Sequence, residues 1–238
     1  MTRSFYRGWL LAALGFMAAA MFFSVTGSNL NGFLSYYNAI FHRSNFAILY
    51  LSIFIFGIFK LSNFLSAKEA VIRYGNFLKL IKEVQIAGMK YCLIITSSEC
   101  IALYVLTIPF CGTKHLINLE YFMFLIAFFL LQIVGWLVIF NLFWCVKLAL
   151  KGNVLSWIIT MLLIGIPAVC FGEIETHSQI EYRICVYKSM YIIEGNSIFN
   201  LSFHLIYMTT ITLLLICIMF FLLWKNDYLE RKYNEKDS

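Results

Sequence analysis

One acidic residue lies deep inside an apolar stretch of the sequence: Glu99, in the segment IITSSECIALY. A charged side chain in the hydrocarbon core of a membrane is costly, so such residues usually face the protein interior or a water-filled path. Two interpretations remain open for Glu99. It lines a translocation route or takes part in a proton-linked step, or it makes a structural hydrogen bond to another membrane helix.

The other residues with reactive side chains form weaker patterns. His177 and Glu181 are four positions apart in ETHSQIE, a spacing that could hold a metal ion, although a polar pair on a loop is the simpler interpretation. The seven cysteines include no CxxC pair and are interpreted as packing residues, with a Cys111–Cys185 bridge as the alternative. The motifs GxxxxGK[ST], HExxH and GxSxG are absent, so we predict no catalytic residue and no metal or cofactor on this chain.

The composition identifies the solvent that surrounds most of the chain. Of its 238 residues, 62% are hydrophobic and 13% are charged. Soluble domains contain about 45–50% apolar and about 25% charged residues, and a fold of this length cannot bury such an excess of apolar surface. We therefore predict an all-α integral membrane protein, in which the net charge of +6 reflects membrane orientation and not nucleic-acid binding.

Six apolar stretches are long enough, or nearly so, for the roughly 20 residues that a membrane-spanning helix needs. These predicted spans are approximately Trp9–Val25, Phe46–Leu65, Tyr91–Phe110, Leu119–Val146, Val154–Phe171 and Phe203–Trp224.

The basic residues are distributed unevenly between the two sides that six spans define. One side carries only Arg43, Lys114, Arg183 and Lys188, which leaves 14 of the 18 Lys and Arg residues on the side of both termini. Cytoplasmic loops are rich in Lys and Arg, so both termini are predicted to be cytoplasmic. The outer loop at 172–200 is long enough to contain short helices on, or dipping into, the outer leaflet.

A basic segment, 67–85, separates the second and third predicted spans. Its apolar residues at positions 70, 74, 77, 81 and 84 follow the spacing of one helical face, and Lys and Glu residues fill much of the opposite face. This pattern predicts an amphipathic cytoplasmic helix. It lies along the membrane and binds anionic lipid, or it docks a cytoplasmic partner, and the two interpretations are compatible.

The segment KEAVIRYGNFLKLIKEV, and within it Ile72-Arg73-Tyr74-Gly75, resembles the corresponding region of the permease subunits of type-2 ABC exporters. The resemblance is to the kind linked to bacteriocin or antimicrobial-peptide export and immunity. The six predicted spans, the long outer loop before the last span and the C-terminal LLWKNDYLERK are also similar to that class.

The resemblance implies a transport subunit and not an enzyme. In that family the segment between the second and third spans contacts a separate ATP-hydrolysing subunit, which holds ATP and Mg²⁺. Arg73, Tyr74, Gly75, Lys79 and Lys82 are the candidate coupling residues of this chain. The resemblance further implies a homodimer, or a heterodimer with a similar permease, that exports a peptide or an amphiphile from a bacterial cell membrane, and the Phe-, Ile-, Lys- and Asn-rich composition is typical of low-GC bacteria.

Two other function classes remain. A stand-alone polytopic immunity or binding protein that intercepts a membrane-active peptide would need no ATPase partner. A membrane-embedded enzyme is disfavoured, since the sequence shows no reactive cluster.

Overall fold

The structure is a computed structural model that describes residues 33–65, 77–111, 119–171, 185–191 and 198–234, together with residues 15, 18, 19 and 22. Apart from those four single residues, which are helical, the first predicted span lies outside this part of the chain. The basic segment before residue 77 and most of the outer loop also lie outside it.

The described residues form helices connected by turns, and no strand occurs among them. Eight α-helices are numbered here in chain order, and a π-helical turn, Phe46–Tyr50, joins the second to the third. Their bounds are α1 Phe33–Ile40, α2 Arg43–Asn45, α3 Leu51–Leu65, α4 Phe77–Cys111, α5 Leu119–Leu150, α6 Asn153–Phe171, α7 Val186–Tyr191 and α8 Ile198–Asn234.

An all-helical fold is therefore confirmed for this part of the chain, and five stretches are long and apolar enough to cross a membrane. They are Tyr37–Ser62, Leu78–Val105, Tyr121–Leu150, Asn153–Cys170 and Leu201–Lys225.

The connection between the basic segment and the third predicted span differs from the expectation. The described part of the segment is the start of α4, which runs without interruption from Phe77 to Cys111 and so joins the segment to the span in one helix. Ile81 and Val84 of the predicted apolar face are buried, whereas Lys79 and Lys82 are exposed. The helix continues because its apolar face packs on α5. Beside that face, the side-chain amide of Gln85 donates a hydrogen bond to Asn141 of α5.

The second predicted span also begins earlier than its sequence suggested. Its apolar stretch starts at Tyr37 and contains a break at Phe41-His42, between α1 and α2. Carbonyl groups exposed by a break inside a membrane need donors, because lipid supplies none. Side chains of Asn45, Tyr50 and Tyr187 donate to the carbonyls of residues 39–41 at 2.6–3.2 Å.

Spans that follow one another in the sequence run in opposite directions, so the second and fourth predicted spans are parallel, and the second and fifth are antiparallel. The Lys147 ammonium group donates to the Ser62 carbonyl at 3.1 Å, which places the end of α5 beside the end of α3. The Arg43 guanidinium group donates to the Val169 carbonyl at 3.0 Å, which places the start of α2 beside the end of α6. We call the end of the bundle that contains Ser62, Lys147 and the start of α4 the basic end.

Helix α5 occupies the centre of the described bundle, in contact with α3, α4, α6, α7 and α8. It ends in a tight turn, where Lys151 adopts a positive φ of 54° and its amide donates to the Lys147 carbonyl at 2.9 Å. The next helix, α6, starts at Asn153, so the two antiparallel helices are joined at the basic end by two residues.

Candidate functional site

The Glu99 side chain is fully buried between α4 and α5. The indole N–H of Trp136 donates a hydrogen bond to Glu99 Oε2 at 3.2 Å. The other carboxylate oxygen, Oε1, has no hydrogen-bond partner among the described residues. Trp136 is itself fully buried, with its ring centroid 4.2 Å from that of Phe54 and 5.8 Å from that of Phe46.

The register between α4 and α5 identifies what surrounds the carboxylate. The helices are in tight contact at Gly88, where a Cβ atom would overlap the ring of Phe140. Thr96 follows Gly88 by eight residues and Gln132 precedes Phe140 by eight residues, so the antiparallel register places Thr96 level with Gln132. Both side chains are fully buried, one turn from Glu99 and Trp136 respectively.

Gln132 connects this level of the bundle to α7. Its amide group donates to the Met190 carbonyl at 3.1 Å, while its oxygen, Oε1, has no described partner. Met190 reaches this position because residue 135 is glycine, at which a Cβ atom would overlap the methionine side chain. The short helix α7 is consequently part of the interior: Cys185 and residues 187–191 are all buried.

Tyr191 ends α7 inside the aromatic interior. Its carbonyl accepts a hydrogen bond from the Tyr37 hydroxyl at 2.8 Å, and its ring stacks on Phe41 at a centroid distance of 5.0 Å. Its own hydroxyl has no described partner. Burial raises the pKa of that hydroxyl well above its ordinary value, and the Glu99 carboxylate, whose charge acts on it, raises it further.

Thr96, Glu99, Gln132, Trp136 and Tyr191 are together called the carboxylate site. Four of its buried oxygens lack a described hydrogen-bond partner, one from each residue except Trp136. An unsatisfied buried polar group costs about 1–3 kcal/mol, so a cluster of four is a feature that fold stability alone does not explain. In chemical terms the site offers one carboxylate, several neutral oxygens and one N–H donor, and it has no nucleophile beside a base.

The remaining predicted site residues fall elsewhere. Lys79 and Lys82 lie near the start of α4, at the basic end, far along the helix from Glu99. Arg73, Tyr74 and Gly75 lie outside the described residues, as do His177 and Glu181. Within the described part of the chain, no group of three or more His, Cys, Asp or Glu residues could hold a metal ion.

The alternative of a Cys111–Cys185 bridge is wrong. Cys185 is a reduced thiol whose Sγ lies 3.5 Å from the Pro167 carbonyl, to which it donates. The segment that follows Cys185 turns into the bundle as α7, and this carries the thiol onto α6.

The sequence singled out Glu99 but not the residues around it. Gln132 and Trp136 carried a usable signal, because an amide and an indole N–H within an apolar span require partners. Thr96 carried a weaker signal, since a threonine hydroxyl can bond to its own helix. The length of the loop at 172–200 predicted short helices on, or dipping into, the outer leaflet, but nothing in CVYKSMY singles out Tyr191 as a residue of the bundle interior.

Comparison with known proteins adds no relative: no family model, no curated protein and no solved structure matches the chain.

Proposed function

We propose that this chain is the membrane-spanning permease subunit of an ATP-driven exporter, whose ATP is hydrolysed by a separate subunit. The substrate class is a peptide or an amphiphile, and the membrane is that of a bacterial cell. The proposal takes the basic end as cytoplasmic, which agrees with the excess of Lys and Arg on that side of the sequence.

The observation that carries the proposal is the continuity of α4. A subunit that receives a push from a cytoplasmic partner needs a stiff element that reaches from the contact into the membrane, so that movement is transmitted and not absorbed. Helix α4 has 35 residues, about 50 Å at 1.5 Å per residue, and so exceeds the roughly 30 Å of the hydrocarbon core.

One face of the start of α4 packs against the bundle, and the opposite face is exposed. Ile81 and Val84 pack inward, and Gln85 Nε2 donates to Asn141 Oδ1 at 2.6 Å. Lys79 and Lys82 are exposed on the outward side. A contact made by these lysines, together with Arg73, Tyr74 and Gly75 just before them in the sequence, would move α4 and α5 as one body.

The test is reversal of charge at the proposed contact. The tagged protein is purified from its native membranes, and co-purifying chains are searched for one with a GxxxxGK[ST] phosphate loop. We expect K79E/K82E to reduce the amount of that chain and its ATPase activity, whereas K225E, an exposed lysine of the same end on α8, leaves both unchanged. The proposal fails if wild-type protein brings down no ATP-binding chain, or if the two variants behave alike.

A stand-alone immunity or binding protein is the second candidate, and the filled interior favours it. Met190 sits against Gly135, and the rings of Tyr37, Phe41 and Tyr191 occupy the space between α1, α5 and α7. A single copy with such an interior is better suited to holding a ligand at its surface than to passing one through. The same purification distinguishes the candidates, since this one predicts wild-type function in cells that lack any associated ATPase.

A further inference from the structure

The carboxylate site presents oxygens from three elements that the rest of the fold leaves unpaired. Thr96 and Glu99 come from α4, Gln132 comes from α5, and Tyr191 comes from α7. All four side chains are at least nine-tenths buried, and the antiparallel register brings the α4 and α5 residues to one level. The Gln132 amide bonded to Met190 O holds α7 against that level.

The site contains one acidic group, the Glu99 carboxyl, in a medium of low dielectric. The hydrogen bond from Trp136 Nε1 is directed at Oε2, which leaves Oε1 as an acceptor without a donor. Gln132 is in the same situation, because its amide nitrogen is used by Met190 and its oxygen can only accept. Glu99 Oε1 and Gln132 Oε1 are thus acceptors without a donor, and the Thr96 and Tyr191 hydroxyls, which can donate or accept, are unpaired at the same site within the described part of the chain.

We propose that the carboxylate site binds one alkali metal cation, with sodium as the probe, through oxygens of Thr96, Glu99, Gln132 and Tyr191. A cation satisfies several oxygens at once, and one positive charge neutralises the single carboxylate. Hard cations take carboxylate, carbonyl and hydroxyl oxygens as ligands, which is the donor set present here.

Two other occupants fit the same residues less well. A proton on Glu99 Oε1 removes the charge and makes that oxygen a donor to one further acceptor, but it gives the oxygens of the three elements no shared ligand. A divalent cation would leave a net positive charge in the membrane interior, because the site contains one carboxylate and its other ligands are neutral. A monovalent cation is the ligand that balances both the charge and the oxygens.

The experiment measures thermal unfolding of the purified full-length protein in detergent while sodium chloride replaces choline chloride at constant ionic strength. Sodium at about 100 times its dissociation constant is expected to raise the melting temperature by roughly 5–10 °C. Equilibrium binding of radioactive sodium should saturate at one ion per chain. Both measurements use wild-type protein, so the result does not depend on whether any variant folds.

Variants then assign the effect to the site. E99Q keeps the shape of the side chain, removes its charge and should abolish both sodium binding and the shift. T96V should weaken binding by about tenfold or more, in line with the loss of one ligand. T212V is the matched control, because the Thr212 hydroxyl is partly buried but bonds to the Met208 carbonyl of its own helix at 2.9 Å, and it should leave sodium binding unchanged.

Several outcomes would overturn the inference. Equal melting temperatures in sodium and choline with no bound sodium would do so, as would wild-type sodium binding by E99Q. Stabilisation by acid and not by sodium would identify a proton site and would also overturn it. The inference is independent of the proposed ATPase: loss of the sodium effect leaves the co-purification test untouched, and absence of an ATPase leaves the sodium titration untouched.

Discussion

The membrane-spanning stretches of helices α5 and α8 are almost equally apolar, yet they differ in how deeply the bundle buries them. In the most apolar stretch of α5, 44% of the residues are buried, against 17% in α8. Lipid is as apolar as a leucine side chain, so hydrophobicity does not determine which helix lies at the centre of a membrane bundle.

The polar side chains of the two helices account for the difference. In α5, Gln132, Trp136 and Lys147 each donate to a different element, respectively α7, α4 and α3. In α8, Thr210 and Thr212 donate to carbonyls of their own helix, four residues earlier. A polar group with a partner on another helix ties its helix to the interior, whereas one satisfied within its own helix imposes no such constraint.

The largest effect that separates α5 from α8 should come from their tryptophans. Trp136→Ala removes a fully buried ring and the donor to Glu99, and should lower the free energy of unfolding by about 3–5 kcal/mol. Trp224→Ala removes an exposed ring and should change it by less than about 0.5 kcal/mol. Reversible unfolding in mixed micelles measures both. Equal losses would mean that α5 is not the centre of the bundle.

A smaller effect is expected at the lysines near the ends of the same two helices. Lys147 is buried, donates to the Ser62 carbonyl and lies 4.7 Å from the centre of the Trp144 ring. Lys147→Met should therefore cost about 1.5–3 kcal/mol, the usual value for a hydrogen bond from a charged group. Lys225→Met, at an exposed position of α8, should be nearly neutral in the same unfolding assay. A neutral Lys147→Met would show that the contact with Ser62 does not hold α3 on α5.

The close contact of α5 with α4 gives the third prediction. Gly88→Ala places a methyl group against the fully buried Phe140 ring and should destabilise the protein by about 1–3 kcal/mol. Gly165→Ala is the matched control on α6, because its Cβ would lie at an ordinary 3.6 Å from Leu51 Cδ2. Cross-linking of cysteine pairs across α4 and α5 reports whether the contact has loosened. Equal stability of the two variants would refute the close approach at Gly88.

The smallest effect should be a gain in stability where α5 ends. Lys151 has a φ of 54°, a conformation that glycine adopts without the cost that a Cβ atom imposes. Lys151→Gly should therefore raise the free energy of unfolding by about 1 kcal/mol. Gly152→Ala serves as the control, since a Cβ there has ordinary contacts only, the nearest at 3.7 Å from the Leu150 carbonyl. Destabilisation by Lys151→Gly would place the end of α5 elsewhere.

The sequence was sufficient to predict the membrane helices of the described chain but not their interruptions. The predicted span Val154–Phe171 matches α6, Asn153–Phe171, because both ends are marked by changes from polar to apolar residues. The predicted start of the third span at Tyr91 is 14 residues after the start of α4 at Phe77, because Lys82 and Lys90 end the apolar run without ending the helix. An apolar run therefore indicates which part of a helix lies in lipid, but it does not indicate where the helix begins or ends.

The candidate site was predictable only in its central residue. Glu99 was identified because a carboxylate in an apolar run is costly wherever it points. Its surroundings depend on a register between α4 and α5 set by Gly88 and Phe140, and on α7, whose entry depends on Gly135. These are contacts between distant parts of the chain, and a single sequence carries no periodic pattern that reports them.

The buried position of α7 has a consequence for the assembly of the protein. Tyr191 O accepts from Tyr37, 154 residues earlier, and Met190 O accepts from Gln132, 58 residues earlier. Once α7 lies inside the bundle, these two carbonyls need the donors on α1 and α5, since lipid offers none. Seating of α7 therefore depends on the earlier helices, and a nascent chain that stops before α7 would leave Tyr37 and Gln132 without these acceptors.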